Sequence, residues 1–543
     1  MTATLSPADI RTGSRAAGSA FTGTGAMVRL ALRRDRIRLP LWVIAIAVLV
    51  PRFYSAASTV VAPTPEARAE AAQLIRGSFM RVLAGPVFGD GAVTSQQYFL
   101  AAYWVEFLLA AALMNILLIT RHTRAEEQTG RAELIRAAVV GRHAQLTAAL
   151  IVSLIGNAVL AVLVAAAAIG IGFPAASALL FGASLAAAGL VFAAVAAVTV
   201  QLTEHPRGAG GFAGVALVVA WLLRGVGAMQ SLEGGPVFWL SPIGWSQQTR
   251  VLAGERWWPL ALSALLAGLL FAGAYTLASR RDLGAAVVAP RPGRAGAPAW
   301  LRSPFTLALR LQQAAIGWWA AAFLAVGLTL GGMTGGMATT DLPIFPGADL
   351  GRAWISLMVF TGSLYTGVFA VLSVLRLRAE EVRGRVGPVL AGPTGRSAWL
   401  GSSLLVSALA VIALLTVYGA ALGVGAAAST GDRGLVGEVI GASLLRIPEG
   451  LVLLAVPAAL LGLAPRAAVG VGWAVLVYGG FVQVLGPYAG VPGWLQNTSV
   501  LSHLPWRPLG AFAPVATVVL TALAAALAIL GLYGLRRRDL ASG

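Results

Sequence analysis

RAEEQTGRAELIRAAVVGR, residues 124–142, is a charged island between two long apolar stretches. A relative returns at 378–396 as RAEEVRGRVGPVLAGPTGR. Aligned without gaps, the two share Arg-Ala-Glu-Glu, then Gly-Arg, one Ala and a closing Gly-Arg. A chain that carries one polar loop twice is expected to be built as two halves. The repeat predicts a disordered tail over 1–25, a first six-helix membrane repeat over 26–283, a cytoplasmic linker over 284–303 and a second repeat over 304–543. Each half also ends alike, on Arg280-Arg281-Asp282-Leu283 and Arg537-Arg538-Asp539-Leu540.

The surroundings of the island are membrane-like. The 543 residues are 58% hydrophobic and 11% charged, where a soluble domain carries about 25% charge. Cysteine is absent, which excludes disulfides and thiolate metal sites. The four histidines, His122, His143, His205 and His503, have no ligand spacing, so no metal is expected. All 39 basic residues are Arg, which with the heavy Ala, Gly and Pro usage points to GC-rich actinobacterial coding. Net charge +18 would suit nucleic acid, but the arginines cluster at the ends of apolar segments, as topology signals do. No nucleic-acid partner is expected, and residues 1–38, with seven Arg and no long apolar run, are not a cleavable signal peptide.

A crossing helix needs ~20 apolar residues. Twelve segments qualify: 39–56, 98–120, 144–170, 176–200, 209–230 and 258–279, then 316–335, 353–376, 398–426, 437–463, 467–487 and 511–534. With the N-terminus inside, the inner segments hold 28 Arg and the outer ones 9, with Arg224 and Arg446 left in the membrane. The opposite orientation reverses that ratio. The expectation is therefore a multi-pass protein of the bacterial plasma membrane with both termini cytoplasmic. Six crossings per half make the repeats parallel, related by an axis along the membrane normal, with a pathway between them.

Residues 26–38, AMVRLALRRDRIR, suit an amphipathic helix at the cytoplasmic face, or a basic flank that only sets topology. A counterpart begins at Phe305, where Ala31-Leu32-Arg33 recurs as Ala308-Leu309-Arg310. Residues 65–83 are expected to form a short helix outside. WLSPIGW (239–245) and LSHLPW (501–506) are expected to dip into the outer membrane face, with Trp257, Trp258 and Trp494 in the aromatic belt.

The sequence has no GxxxxGK[ST] loop, and without Lys it cannot have one; HExxH and GxSxG are absent too. This chain is expected to bind no cofactor of its own and to catalyse nothing; if ATP drives it, ATP and Mg sit on another chain. Glu126-Glu127 with Gly130-Arg131, and Glu380-Glu381 with Gly384-Arg385, offer charged surfaces beside the membrane that a soluble partner can grip. An ordinary solvated loop is the plainer alternative.

RAEEQTGRAELIRAAVVGR resembles the Glu-Glu-x-x-Gly-x-x-Glu-Leu signature of ABC-2 type transporter permeases, in the cytoplasmic loop after their second helix. WLSPIGW resembles the segment before their last helix. The fused twelve-helix layout resembles the actinobacterial permeases that export polyketide antibiotics such as tetronasin, over nearly the whole chain. The resemblance implies an ABC-2 fold, an elbow helix at the N-terminus and a cytoplasmic coupling helix held by a separate ATP-binding subunit, in two copies here. Glu126, Glu127, Gly130, Glu133 and Leu134 match the first coupling helix. Glu380, Glu381 and Gly384 match the second, but Gly387 and Pro388 replace the Glu-Leu pair, which implies asymmetric engagement.

The polar residues inside the membrane are Glu106, Arg224, Arg446 and Glu449. A charge at the bilayer centre costs about 2.5–3.5 kcal/mol on insertion scales, so these are expected to face protein or water. Arg446 and Glu449, three apart on one helix face, can pair, either to fix packing or to touch cargo. Glu106 has Phe360 at its matching position. Fixed charges are few, so an ATP-driven exporter of an apolar or amphipathic small molecule is expected, against a lipid background. An ion-coupled secondary multidrug transporter is the alternative; it needs carboxylates in the path, for which Glu106 and Glu449 are the candidates.

Overall fold

The structure is a computed structural model that describes residues 19–61, 64–89, 93–129, 140–282, 285–287, 296–338, 349–485, 491–505 and 513–539. The described residues form helices joined by turns and loops, with no strand among them. Among the described residues, eleven helices are long and apolar enough to cross a membrane. The twelfth expected crossing is present as the shorter apolar helix Ala468–Leu485. The fold is that of an all-α, multi-pass membrane protein, and the chain divides into two compact units, Met1–Gly293 and Arg294–Gly543. Residues 1–18 of the expected tail, 284 and 288–295 of the linker and 130–139 of the first loop lie outside the described residues. Residues 19–25, expected in the disordered tail, are instead ordered, with the Thr22 carbonyl accepting from the Gly141 amide at 2.8 Å and α1 beginning at Thr24.

The first unit begins with a short elbow, α1 (Thr24–Arg34), followed by α2 (Arg38–Val60). The segment expected to be helical outside forms α3 (Pro65–Arg76) and α4 (Ser78–Leu83). Helix α5 (Ser95–Thr120) starts at a capping box. There Thr94 Oγ1 accepts from the Gln97 amide at 3.2 Å and the Gln97 side chain accepts from the Thr94 amide at 3.0 Å. Then come α6 (Ala144–Gly170), α7 (Ala175–Leu202), α8 (Pro206–Gln230), the short α9 (Pro242–Gln247) and α10 (Pro259–Ser279).

Helix α7 is the centre of this unit and packs against α5, α6, α8 and α10. Its run LAAAGLVFAAVAAV lets backbones approach closely. At Gly182 a Cβ would lie 2.3 Å from the Ala161 carbonyl oxygen of α6, so only glycine fits. By contrast, α2 and α10 leave Leu41, Ile44, Val48, Leu265 and Leu269 exposed. Such an apolar surface is a liability in water and the expected one in lipid. Trp257 and Trp258 are exposed, and Trp258 stacks on Trp239 at 5.2 Å.

In the second unit the expected elbow is not separate. Helix α11 runs unbroken over Pro304–Gly332 from a Ser303–Thr306 capping box. No residue pair like Asp35–Arg36 interrupts it, because Gln312-Gln313 continue the helix where the first half turns. Next come α12 (Leu350–Val382), α13 (Gly387–Leu390) and α14 (Arg396–Thr430). The chain then forms α15 (Gly434–Leu444), α16 (Ile447–Leu463), α17 (Ala468–Leu485) and α18 (Pro514–Arg537). Helices α11 and α14 approach so closely that a Cβ on Gly331 would lie 2.1 Å from the Leu422 carbonyl oxygen.

Candidate functional site

Helix α5 runs on past Thr120 into a π-turn, Arg121–Ala125, and ends in Glu126–Gln128. Such turns insert one residue and are frequent at functional sites. Here the turn carries Arg124 fully inward, with none of its surface exposed. Arg124 donates to the Ala285 carbonyl at 2.8 Å, to the Val200 carbonyl, and through Nη1 to Glu127 Oε2 at 2.7 Å. Glu127 is itself clasped by Arg281, Nη2 to Oε1 at 2.7 Å and Nη1 to Oε2 at 3.1 Å. Arg281 Nε donates to Gln201 Oε1 at 2.6 Å, and Arg142, the closing residue of the loop, donates to the Arg281 carbonyl at 3.1 Å.

The second unit repeats this arrangement with the matching residues. Glu381 accepts from Arg538, Nη1 to Oε1 at 2.6 Å and Nη2 to Oε2 at 2.7 Å, and lies 3.4 Å from Arg378. Arg396 donates to the Arg538 carbonyl at 2.7 Å. Thus Arg124, Glu127, Arg142 and Arg281 correspond to Arg378, Glu381, Arg396 and Arg538. Of the residues that the two loops share, the first Arg, the second Glu and the closing Arg tie each loop to its own unit. A bidentate Arg–carboxylate pair fixes orientation as well as distance. One difference is local: α12 passes through Arg378-Ala379-Glu380-Glu381 as plain α-helix, with no π-turn.

Several expected site residues are therefore placed differently from a gripping surface. The Glu127 side chain is enclosed in its clasp, Glu381 is buried in the other, and Glu126 is buried against Arg34 of α1. Glu380 is the more exposed member, 3.4 Å from Arg385. Arg385 projects into solvent, and Gly384 ends α12 in the left-handed region at φ 67°, which glycine permits. Gly387 and Pro388 open the single turn of α13. Gly130, Arg131, Glu133 and Leu134 lie outside the described residues.

The elbow of the first unit is held by a second ion network. Asp35 binds Arg121 at 2.5 Å and is hydrogen-bonded to His122. Burial pushes the Asp35 carboxyl up, but the hydrogen bond and charge of His122, with Arg121 and Arg38, outweigh it and hold it below its ordinary value. A depressed carboxylate stabilises the fold above the unfolded-state pKa and loses that contribution as pH falls through the folded one. The thermal midpoint of the wild type should thus fall on acidification below roughly pH 4. An Asp35→Asn variant should start lower and lose less over the same range, as read by melting curves across pH.

Of the intramembrane charges, Arg446 and Glu449 do pair, Nη1 to Oε1 at 2.7 Å, and both are buried. Ser363 donates to Glu449 Oε2 at 2.7 Å, and Arg446 also donates to the Pro505 carbonyl at 3.2 Å and lies over Phe360. The pair sits at the break between α15 and α16 and joins them to α12. Arg224, fully buried, donates to the Val82 and Leu83 carbonyls at 2.5 and 2.7 Å, closing the C-terminal end of α4. Glu106 lies exposed on the surface of α5. The clasping arginines, Arg281 and Arg538, were not among the expected site residues. Their signal was the duplicated Arg-Arg-Asp-Leu, recurring at a near-constant distance behind the duplicated Glu-Glu.

With this geometry in place, the comparisons are specific. Residues 301–536 match the family described as "Multidrug efflux system permease Rv1217c, C-terminal domain". Over 538 residues, 96% of each chain, the sequence is 38% identical to the multidrug efflux system permease protein Rv1217c of Mycobacterium tuberculosis. The chain belongs to this family of efflux permeases. The match to the relative runs through both units.

Proposed function

We propose that this efflux permease is the membrane-spanning subunit of an ATP-driven exporter of the ABC-2 type. Two copies of a separate ATP-binding subunit dock beneath it, through 124–142 and 378–396, and hold the ATP and Mg that the chain has no motif to bind. It resides in the bacterial plasma membrane with both termini cytoplasmic. The cargo is an apolar or amphipathic small molecule, a drug or a polyketide antibiotic; the multidrug efflux named for the relative supports that class.

The observation that carries the proposal is the duplicated clasp. A loop that passes a push from a soluble subunit to membrane helices must move with those helices as one body. Glu127 and Glu381, each held by two arginines, root the loops in that way. The partner then meets the outward residues of each loop, Arg385 among them, and the buried glutamates act as positioning residues.

The test is co-purification. Tagged wild type should bring down an ATP-binding cassette subunit from its host, and Arg385→Glu should lower the yield about tenfold with an unchanged melting temperature. If no such subunit is recovered, and export survives ATP depletion but stops with a proton uncoupler, the reading fails in favour of ion-coupled transport.

A further inference from the structure

Aligning the two elbows at Ala31 and Ala308, and the two loops at Arg124 and Arg378, brings one recess of each unit into register. In the first unit it is lined by Leu30, Ala31, Arg34, His122, Glu126 and Gln145. In the second the same positions are Leu307, Ala308, Leu311, Arg376, Glu380 and Trp399. The first recess is closed. Arg34 crosses it to Glu126, and Gln145 Nε2 donates to the carbonyls of His122 and Thr123 at 3.0 and 3.3 Å. The second is not spanned in this way and is roomier, about 900 Å³ against about 300 Å³ for the first, both with the space at the mouth.

The substitutions account for the difference. Leu311 in place of Arg34 removes the arm that spans the gap, and Trp399 in place of Gln145 gives an aromatic wall. Val386 and Val389 of the loop complete an apolar lining. The polar groups in the floor are already satisfied: Ser373 donates to the Ala370 carbonyl at 2.8 Å, Ser403 to the Trp399 carbonyl at 2.9 Å, and Gln312 Oε1 accepts from Ser407 at 3.0 Å. A floor of that kind makes no demand for water and accepts a hydrocarbon chain. The rim carries Arg376, Arg385 and Glu380, the last two 3.4 Å apart.

We propose that this recess, between α11, α12, α13 and α14, binds an anionic amphiphile, its chain against Leu307, Leu311 and Trp399 and its phosphate or carboxylate at Arg376 and Arg385. Basic pockets at the membrane edge take anionic head groups in this way. The site needs neither ATP nor cargo movement, and it is tested at Leu311 and Arg376, apart from Arg385, which the export reading also uses. Two sources share the chemistry: a phospholipid of the bilayer, or a free amphiphile from water.

Full-length chain is placed in nanodiscs of mixed phosphatidylglycerol and phosphatidylcholine, and lipid kept by the released protein is counted by native mass spectrometry. Lipid-stripped protein is titrated in parallel with dodecyl phosphate and with inorganic phosphate. One phosphatidylglycerol should be kept with about tenfold preference over phosphatidylcholine, or dodecyl phosphate should bind where inorganic phosphate does not. The first result identifies bilayer lipid and the second a free amphiphile; either supports the site. Leu311→Trp, which fills the mouth from an exposed position, and Arg376→Gln should each lower binding about tenfold with melting temperature held. Equal retention of both lipids together with no dodecyl phosphate binding, binding unchanged in both variants, or loss only where the melting temperature also drops, would overturn the proposal.

Discussion

Arg538→Ala is expected to destabilise the second unit by about 3–5 kcal/mol, the cost of stranding a buried carboxylate. Glu381 is almost wholly enclosed and both its oxygens accept from Arg538, while Arg378 stands farther off at 3.4 Å. The corresponding change in the first unit, Arg281→Ala, should cost less, because Arg124 stays on Glu127 at 2.7 Å. Melting curves of the purified chain should order the two variants in that way, with a drop of roughly 10 °C for the larger. Exchanging the charges, Glu381→Arg with Arg538→Glu, should recover part of the loss. If both single variants melt with the wild type, the clasps carry no stability. The same result bears on coupling experiments, since charge reversal at Glu126 or Glu127 would damage the fold before it could report on a partner.

Glu449→Ala should be comparably severe, about 3–5 kcal/mol, because it strands the buried Arg446, whose remaining contacts among the described residues are the Pro505 carbonyl and the Phe360 ring. Replacing both partners, Arg446→Met with Glu449→Leu, should come much closer to the wild type, since apolar residues of similar volume remove the desolvation cost of both charges. Export by the double variant separates the two roles of the pair. Retained export means that Arg446 and Glu449 only join α15 and α16 to α12. Lost export at a wild-type melting temperature means that the charges meet the cargo.

The sequence revealed much of this because the needed information is periodic or local. Apolar length placed the crossings, and Arg446 and Glu449 pair because three residues on a helix bring them to one face. The duplicated Glu-Glu and Arg-Arg-Asp-Leu motifs were both visible, but their meeting was not. Glu127 and Arg281 are far apart in the chain, and charge alone does not say which arginine closes on which carboxylate. The residues therefore read as surface when most of their charge is turned inward. Arg224 shows the same limit: its partners are main-chain oxygens, which leave no trace in side-chain pattern. The π-turn at 121–125 was equally silent, since the second copy of Arg-Ala-Glu-Glu, with the same four residues, is plain α-helix. The elbow of the second unit merged into its crossing because Gln312 continues a helix that Asp35 breaks.

That last difference sets a rule for how this protein can vary. A pump assembled from two identical half-chains must accept every substitution twice, once on each side. Fusion lifts that obligation: Arg34 and Asp35 can brace one elbow while Leu311 and Gln312 hollow out the other. A chimera carrying the first half in duplicate should accordingly fold and yet lack whatever the hollow supplies, a division of labour that two identical half-chains cannot keep.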